Sequence, residues 1–85
     1  WEVAGVVTGY DAKHRRLLCV QRNKFAAGQP LELVLPLRGV KAFTPEKLYN
    51  ADGEPVDCVP HAAAPFMMDY PEPLPEGTLL RIAAD

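Results

Sequence analysis

No apolar run among the 85 residues approaches the ~20 that a helix needs to cross a bilayer, and no signal peptide is visible within them. A membrane partner is therefore not expected. Cysteine is scarce. Cys19 and Cys58 are too few for the disulfide framework that a secreted domain of this size carries, so both thiols are expected to be reduced and the protein cytoplasmic. Metal-ligand spacing is equally thin. His61 follows Cys58 closely, but structural zinc takes four ligands, and the other candidates, His14 and Cys19, lie in a different part of the chain. Asp52, Glu54 and Asp57 lack the spacing and the bidentate glutamate of a calcium loop. No glycine-rich phosphate loop occurs. No nucleophile stands in a motif with a base and an orienting group. The sequence thus predicts no catalytic residue, no cofactor and no metal site within this chain.

What is present is the composition of a soluble globular fold, 48% hydrophobic and 24% charged. The length fits one domain, spanning 1–85, with a small core: a chain of this size buries about 60–65% of its unfolded surface. It opens on Trp1 rather than Met, which points to a domain cut from a longer protein. Charge is unevenly placed. Residues 1–47 hold eight Lys/Arg against four Asp/Glu, whereas 48–85 hold one Arg against seven acids. Such asymmetry can mark a basic face for an anionic partner, although a fold that interleaves the two halves cancels it.

Period-two alternation recurs along the chain and helical periodicity is almost missing. The β-branched stretch over residues 3–10 reads as a strand, with Gly5 and Gly9 marking a bend or a close backbone approach. Residues 15–22 return as its hairpin partner, with Leu17 and Cys19 on one face and Leu18 and Val20 on the other. Leu31, Leu33 and Leu35 alternate inward against Glu32, Pro36 ends that strand, and residues 39–44 give a fourth. Thr44 as N-cap, Pro45 at the first helical position and Glu46 behind it predict one short helical turn. Six of the nine prolines fall from Pro55 onward and limit the later strands to short pieces. So many short strands must bury one face each. The expected fold is all-β: a small antiparallel barrel, closed or partly open, because closure removes exposed edges.

The strand at residues 15–22 runs into a cluster of a different kind: Gln21, Arg22, Asn23, Lys24 and Phe25, followed by Gly28. Basic residues beside an aromatic are the ingredients of single-stranded nucleic-acid binding on a barrel surface. The same residues also make a turn, with Phe25 plugging the barrel end, Asn23 as cap and Gly28 as the left-handed residue before the next strand. The defined backbone task of Asn23 and Gly28 favours the turn.

This cluster resembles the hairpin of the C-terminal domain of the collagenase-like peptidases, peptidase family U32. The likeness continues through Asp52-Gly53-Glu54-Pro55-Val56-Asp57, then Pro60-His61, then Gly77 and Leu80-Arg81, in the family's order over nearly the whole chain. An acid usually follows the glycine of that hairpin; here Gln29 and Pro30 stand in its place. The resemblance implies a β-barrel like the second domain of elongation factor Tu, attached behind a larger domain that holds the catalytic and metal-ligating residues. The implied function is that of a non-catalytic accessory domain, packing on the N-terminal catalytic domain of the same protein and helping to position a peptide substrate. The alternative is an RNA-contacting module of a tRNA-hydroxylation factor. Phe25 and Gly28 are assigned to structure, while Arg22 and Lys24, together with Lys41 and Arg81, are the candidate contacts to substrate or RNA.

Overall fold

Alternation in the sequence becomes alternation in burial. The computed structural model describes residues 1–59 and 61–83 and contains eight strands: β1 (Glu2–Asp11), β2 (Arg16–Gln21), β3 (Leu31–Leu35), β4 (Gly39–Phe43), β5 (Leu48–Tyr49), β6 (Pro55–Val56), β7 (Pro65–Asp69) and β8 (Leu79–Ile82). In β2 the buried positions are Leu17, Cys19 and Gln21; in β3 they are Leu31, Leu33 and Leu35, as the sequence predicts. All eight strands join one antiparallel sheet in the order β4-β3-β8-β1-β2-β7-β5-β6. Among the described residues no helix is long and apolar enough to cross a membrane.

β1 is the spine of this sheet, pairing with β8 over its first half and with β2 over most of its length. The ladder slips between Val3 and Gly5 and again between Val7 and Gly9, bulges that sharpen the local twist. Gly5 is required there. A Cβ at this position would lie 2.9 Å from the Val20 carbonyl oxygen and 3.3 Å from the Phe66 ring. β3 and β5 stand five places apart in the sheet, ~24 Å if it lay flat, yet Leu33 and Leu48 belong to one core with Leu17, Phe25, Phe66, Met68 and Leu80. The sheet therefore coils over its own inner face.

It does not close. Among the described residues no ladder joins β4 to β6, so the closed barrel is not formed, and the expected likeness to the second domain of elongation factor Tu is without support. β6 is only two residues long and begins with Pro55, which has no N–H to extend a ladder. The chain between β2 and β3 lies over this gap instead. Ala26 bridges Cys58, the Ala27 N–H donates to the Asp57 carbonyl at 2.7 Å, and the Gly28 N–H donates to the Pro45 carbonyl at 2.7 Å. The short helical turn expected around Thr44 and Pro45 is likewise not formed. Leu48 and Tyr49 are buried and paired with Met68 and Met67 of β7, which leaves only residues 44–47 between two strands. Pairing and burial outweigh the local capping signal.

Candidate functional site

The basic cluster sits where β2 leaves the sheet. The backbone N–H groups of Arg22 and Asn23 both donate to the Ala4 carbonyl, at 2.7 and 3.2 Å, and Asn23 Nδ2 donates to the Val3 carbonyl at 2.7 Å. Asn23 is therefore a clamp on β1 rather than a cap of its own turn. Phe25 is 3% exposed and meets Phe66 edge-on, with centroids 5.4 Å apart. It is a core plug, and no base can stack on it. Gly28 takes φ 84°, the left-handed conformation the turn needs.

Gln21 belongs to the core as well. Its Nε2 donates to the carbonyls of Val59 and His61, both at 2.8 Å. Its backbone N–H donates to the Ala64 carbonyl at 2.9 Å and its carbonyl accepts from the Ala63 N–H at 2.7 Å. Four hydrogen bonds thus hold the segment that leads into β7. Sequence reading grouped Gln21 with its basic neighbours, although extending the Leu17–Cys19 alternation by two positions places it inward. The Pro60 part of the Pro60-His61 motif lies outside the described residues.

The four candidate contact residues differ in how far they are engaged. Arg22 and Lys24 are exposed, and among the described residues neither has a carboxylate within ion-pair distance. Lys41 lies on the edge strand β4 with Nζ 3.7 Å from Glu72 Oε1. Arg81 is fully engaged. Its Nη2 and Nε reach Glu32 Oε1 at 2.7 and 2.8 Å across the β3–β8 ladder, and its guanidinium lies 4.6 Å from the Trp1 ring centroid. Open hollows of about 360 and 600 Å³ flank Glu46 and Lys47, but none of the four residues lines either one.

The remaining polar groups hold turns and strands together. Asp11 Oδ1 accepts from the backbone N–H groups of Lys13 and His14, and Oδ2 lies 2.8 Å from His14 Nδ1, which holds the Asp11 carboxyl below its ordinary value. The guanidinium of Arg16 covers the Tyr49 ring at 3.7 Å, and the Tyr49 hydroxyl donates to Asp69 Oδ2 at 2.8 Å, a bond that raises the Tyr49 pKa. This Arg16–Tyr49–Asp69 group escaped sequence reading, because only the β2–β7 and β5–β7 registers bring it together. Cys19 is a free thiol in the core, and burial pushes its pKa up to about 12. Cys58 is also free. The chain contains no serine, and among the described residues no three His, Cys, Asp or Glu side chains gather to hold a metal ion.

Comparison with known proteins identifies the family. The family model for the peptidase family U32 C-terminal domain matches residues 1–81. Two crystal structures of the C-terminal domain of a Geobacillus thermoleovorans protein described as a U32 peptidase share the fold. The selenomethionine variant is 28% identical with a TM-score of 0.85, the match covering 95% of this chain and 99% of that one. The second is also 28% identical, with a TM-score of 0.84 over 98% of this chain and 93% of that one. No curated protein is similar enough to count as a relative. The chain belongs to the family of U32 peptidase C-terminal domains.

Proposed function

We propose that this domain is the non-catalytic accessory part of a longer U32 peptidase-family protein, packing on the N-terminal catalytic part and helping to position its substrate. One observation carries the reading: two of the groups that could do chemistry here, Cys19 and His14, already hold the fold. Cys19 is a core residue with its thiol pushed up to about 12, and His14 is tied to Asp11 in the β1–β2 turn. Substrate positioning then falls to exposed side chains, of which Arg22 and Lys24 are available for an anionic stretch. The loss of Phe25 to the core favours a peptide over an RNA, because a stacked base needs an accessible ring.

The test compares the parent protein with and without this domain, on a short fluorogenic peptide and on an intact protein substrate. Deletion should lower kcat/KM for the protein substrate and leave the short peptide nearly unaffected. An unchanged kcat/KM for the protein substrate after deletion would refute substrate positioning. Hydrolysis by the isolated domain would refute its non-catalytic character.

A further inference from the structure

An antiparallel sheet with one solvated face alternates apolar and polar residues, whereas a strand covered on both faces reads as a continuous apolar run. Five strands here carry apolar residues on both faces. Val6 and Val7 adjoin in β1, Leu17 to Val20 run unbroken in β2, Val34 lies between two leucines in β3, Phe66 to Met68 run together in β7, and Leu79 and Leu80 adjoin in β8. The registers line up their outward members. Val40 faces Val34, Val34 faces Leu79, Leu79 faces Val6, Val6 faces Val20, and Val20 faces Pro65, one unbroken row from β4 to β7. Leu18 and Met67 continue it toward the β1–β2 turn, beside a shallow groove of about 270 Å³.

Charge lies only at the margins of this band. On one side the Val3–Arg81–Glu32 row carries the Arg81–Glu32 pair, and on the other the Asp11–Arg16–Asp69 row carries Arg16 and Asp69. An apolar centre with a charged rim is the anatomy of a protein–protein interface. A second observation points the same way. Leu37, at the β3–β4 hairpin tip that adjoins Val40, is fully exposed at 107% and sits at φ 61°. An exposed leucine in the left-handed region breaks two local preferences at once, the kind of conflict that collects at functional surfaces.

The area and the position of Trp1 select the occupant. Six strands at ~4.8 Å and residue rows spanning ~20 Å give a face of roughly 500 Å². A free pair of copies needs about 800 Å² per partner, whereas domains of one chain pack through as little as 600 Å² in total, helped by the millimolar effective concentration of a short tether. Trp1 belongs to this same face, 65% exposed with its ring over Arg81, so any polypeptide that precedes it joins at the rim. We infer that the outer face of β4-β3-β8-β1-β2-β7 is the docking surface for the N-terminal part of the same U32 polypeptide. The inference rests on the accessory reading above and specifies the face by which the domain packs.

Hydroxyl-radical footprinting of the isolated domain and of the full-length parent protein tests it. Modification of Trp1, Met67 and Leu79 should be at least fivefold slower in the full-length protein, with the rate at His61 unchanged. In a full-length L79E/V40E variant the Met67 rate should return to that of the isolated domain. Equal rates at Trp1, Met67 and Leu79 in both wild-type forms would overturn the inference. Protection centred on Lys24 and Lys41 instead would overturn this face while leaving the accessory reading intact, and no protection anywhere would overturn both. Protection that is already present in the isolated domain and grows with concentration would assign the face to a second copy and overturn the tethered occupant.

Discussion

Replacing Phe25 by alanine distinguishes a core plug from a nucleic-acid platform in a single variant. The side chain is 3% exposed and packs edge-on against Phe66 at 5.4 Å, so truncation removes a buried ring and one aromatic pair. Phe→Ala in a core costs about 3–5 kcal/mol, of which the edge-to-face contact contributes ~0.5–1.5 kcal/mol. A domain of this length has a total stability of only about 4–13 kcal/mol, so the variant loses a large share of it. At ~4–8 °C per kcal/mol for a domain of this size, the melting temperature should fall by roughly 12–40 °C. Far-UV circular dichroism during a thermal ramp and a urea titration measures both quantities, with guanidine-free buffer keeping exposed ion pairs intact. A platform residue behaves in the opposite way. It would cost RNA affinity ~1–3 kcal/mol and leave folding almost untouched. A stability loss below ~1 kcal/mol would refute the plug assignment and the packing argument built on it.

Four further outcomes follow from the geometry. Gln21→Leu removes both side-chain donors to the Val59 and His61 carbonyls and should destabilise the domain by ~2–4 kcal/mol, measured by urea unfolding; an unchanged midpoint would show that the clamp contributes nothing. With Cys19 in the core and its pKa pushed up to about 12, a disulfide reagent at pH 8 should modify only Cys58 in the native protein and both thiols after unfolding; two fast native thiols would contradict the burial of Cys19. Contact of Arg22 and Lys24 with phosphates would give a log–log salt slope for tRNA binding of about −1.4 to −1.8, which Arg22→Ala/Lys24→Ala should flatten; a steep slope insensitive to both changes would move the anion site elsewhere. The Asp11 carboxyl is held below 3.8 by His14, so its contribution to stability is complete above the unfolded value and fades as pH falls through the lower folded one. His14→Ala should raise the Asp11 titration midpoint toward its ordinary value, and an unmoved midpoint would disprove the side-chain pairing.

Much of the sheet was legible because its causes are local. The leucines of β3 and the Leu17–Cys19 alternation of β2 announce both strand and inward face, and Gly5 and Gly28 mark a close approach and a left-handed turn. Closure was not legible, because it depends on whether two edge strands can exchange hydrogen bonds. Pro55 and the two-residue length of β6 stand against that exchange, and the β2–β3 connection bonds Pro45, Asp57 and Cys58 just beyond the ends of the two strands. The helical turn failed for a related reason. Thr44, Pro45 and Glu46 favour a helix by roughly 1 kcal/mol each at most, whereas burying Leu48 and Tyr49 against β7 is worth more than that for each side chain.

The candidate contacts divide along the same line. The charge asymmetry between the halves of the chain suggested a basic face, but the fold sets cations of the first half beside acids of the second. Arg16 meets Asp69 and Lys41 meets Glu72, while the one cation of the second half, Arg81, meets Glu32 of the first. No single-strand pattern contains this information, since Arg16–Asp69 and Arg81–Glu32 require the register of strands far apart in sequence, and Lys41–Glu72 requires the loop after β7 to reach the edge strand β4. Arg22 and Lys24 escape neutralisation because they lie just past the end of β2, beyond the last cross-strand partner. Their availability is thus a consequence of where the strand stops.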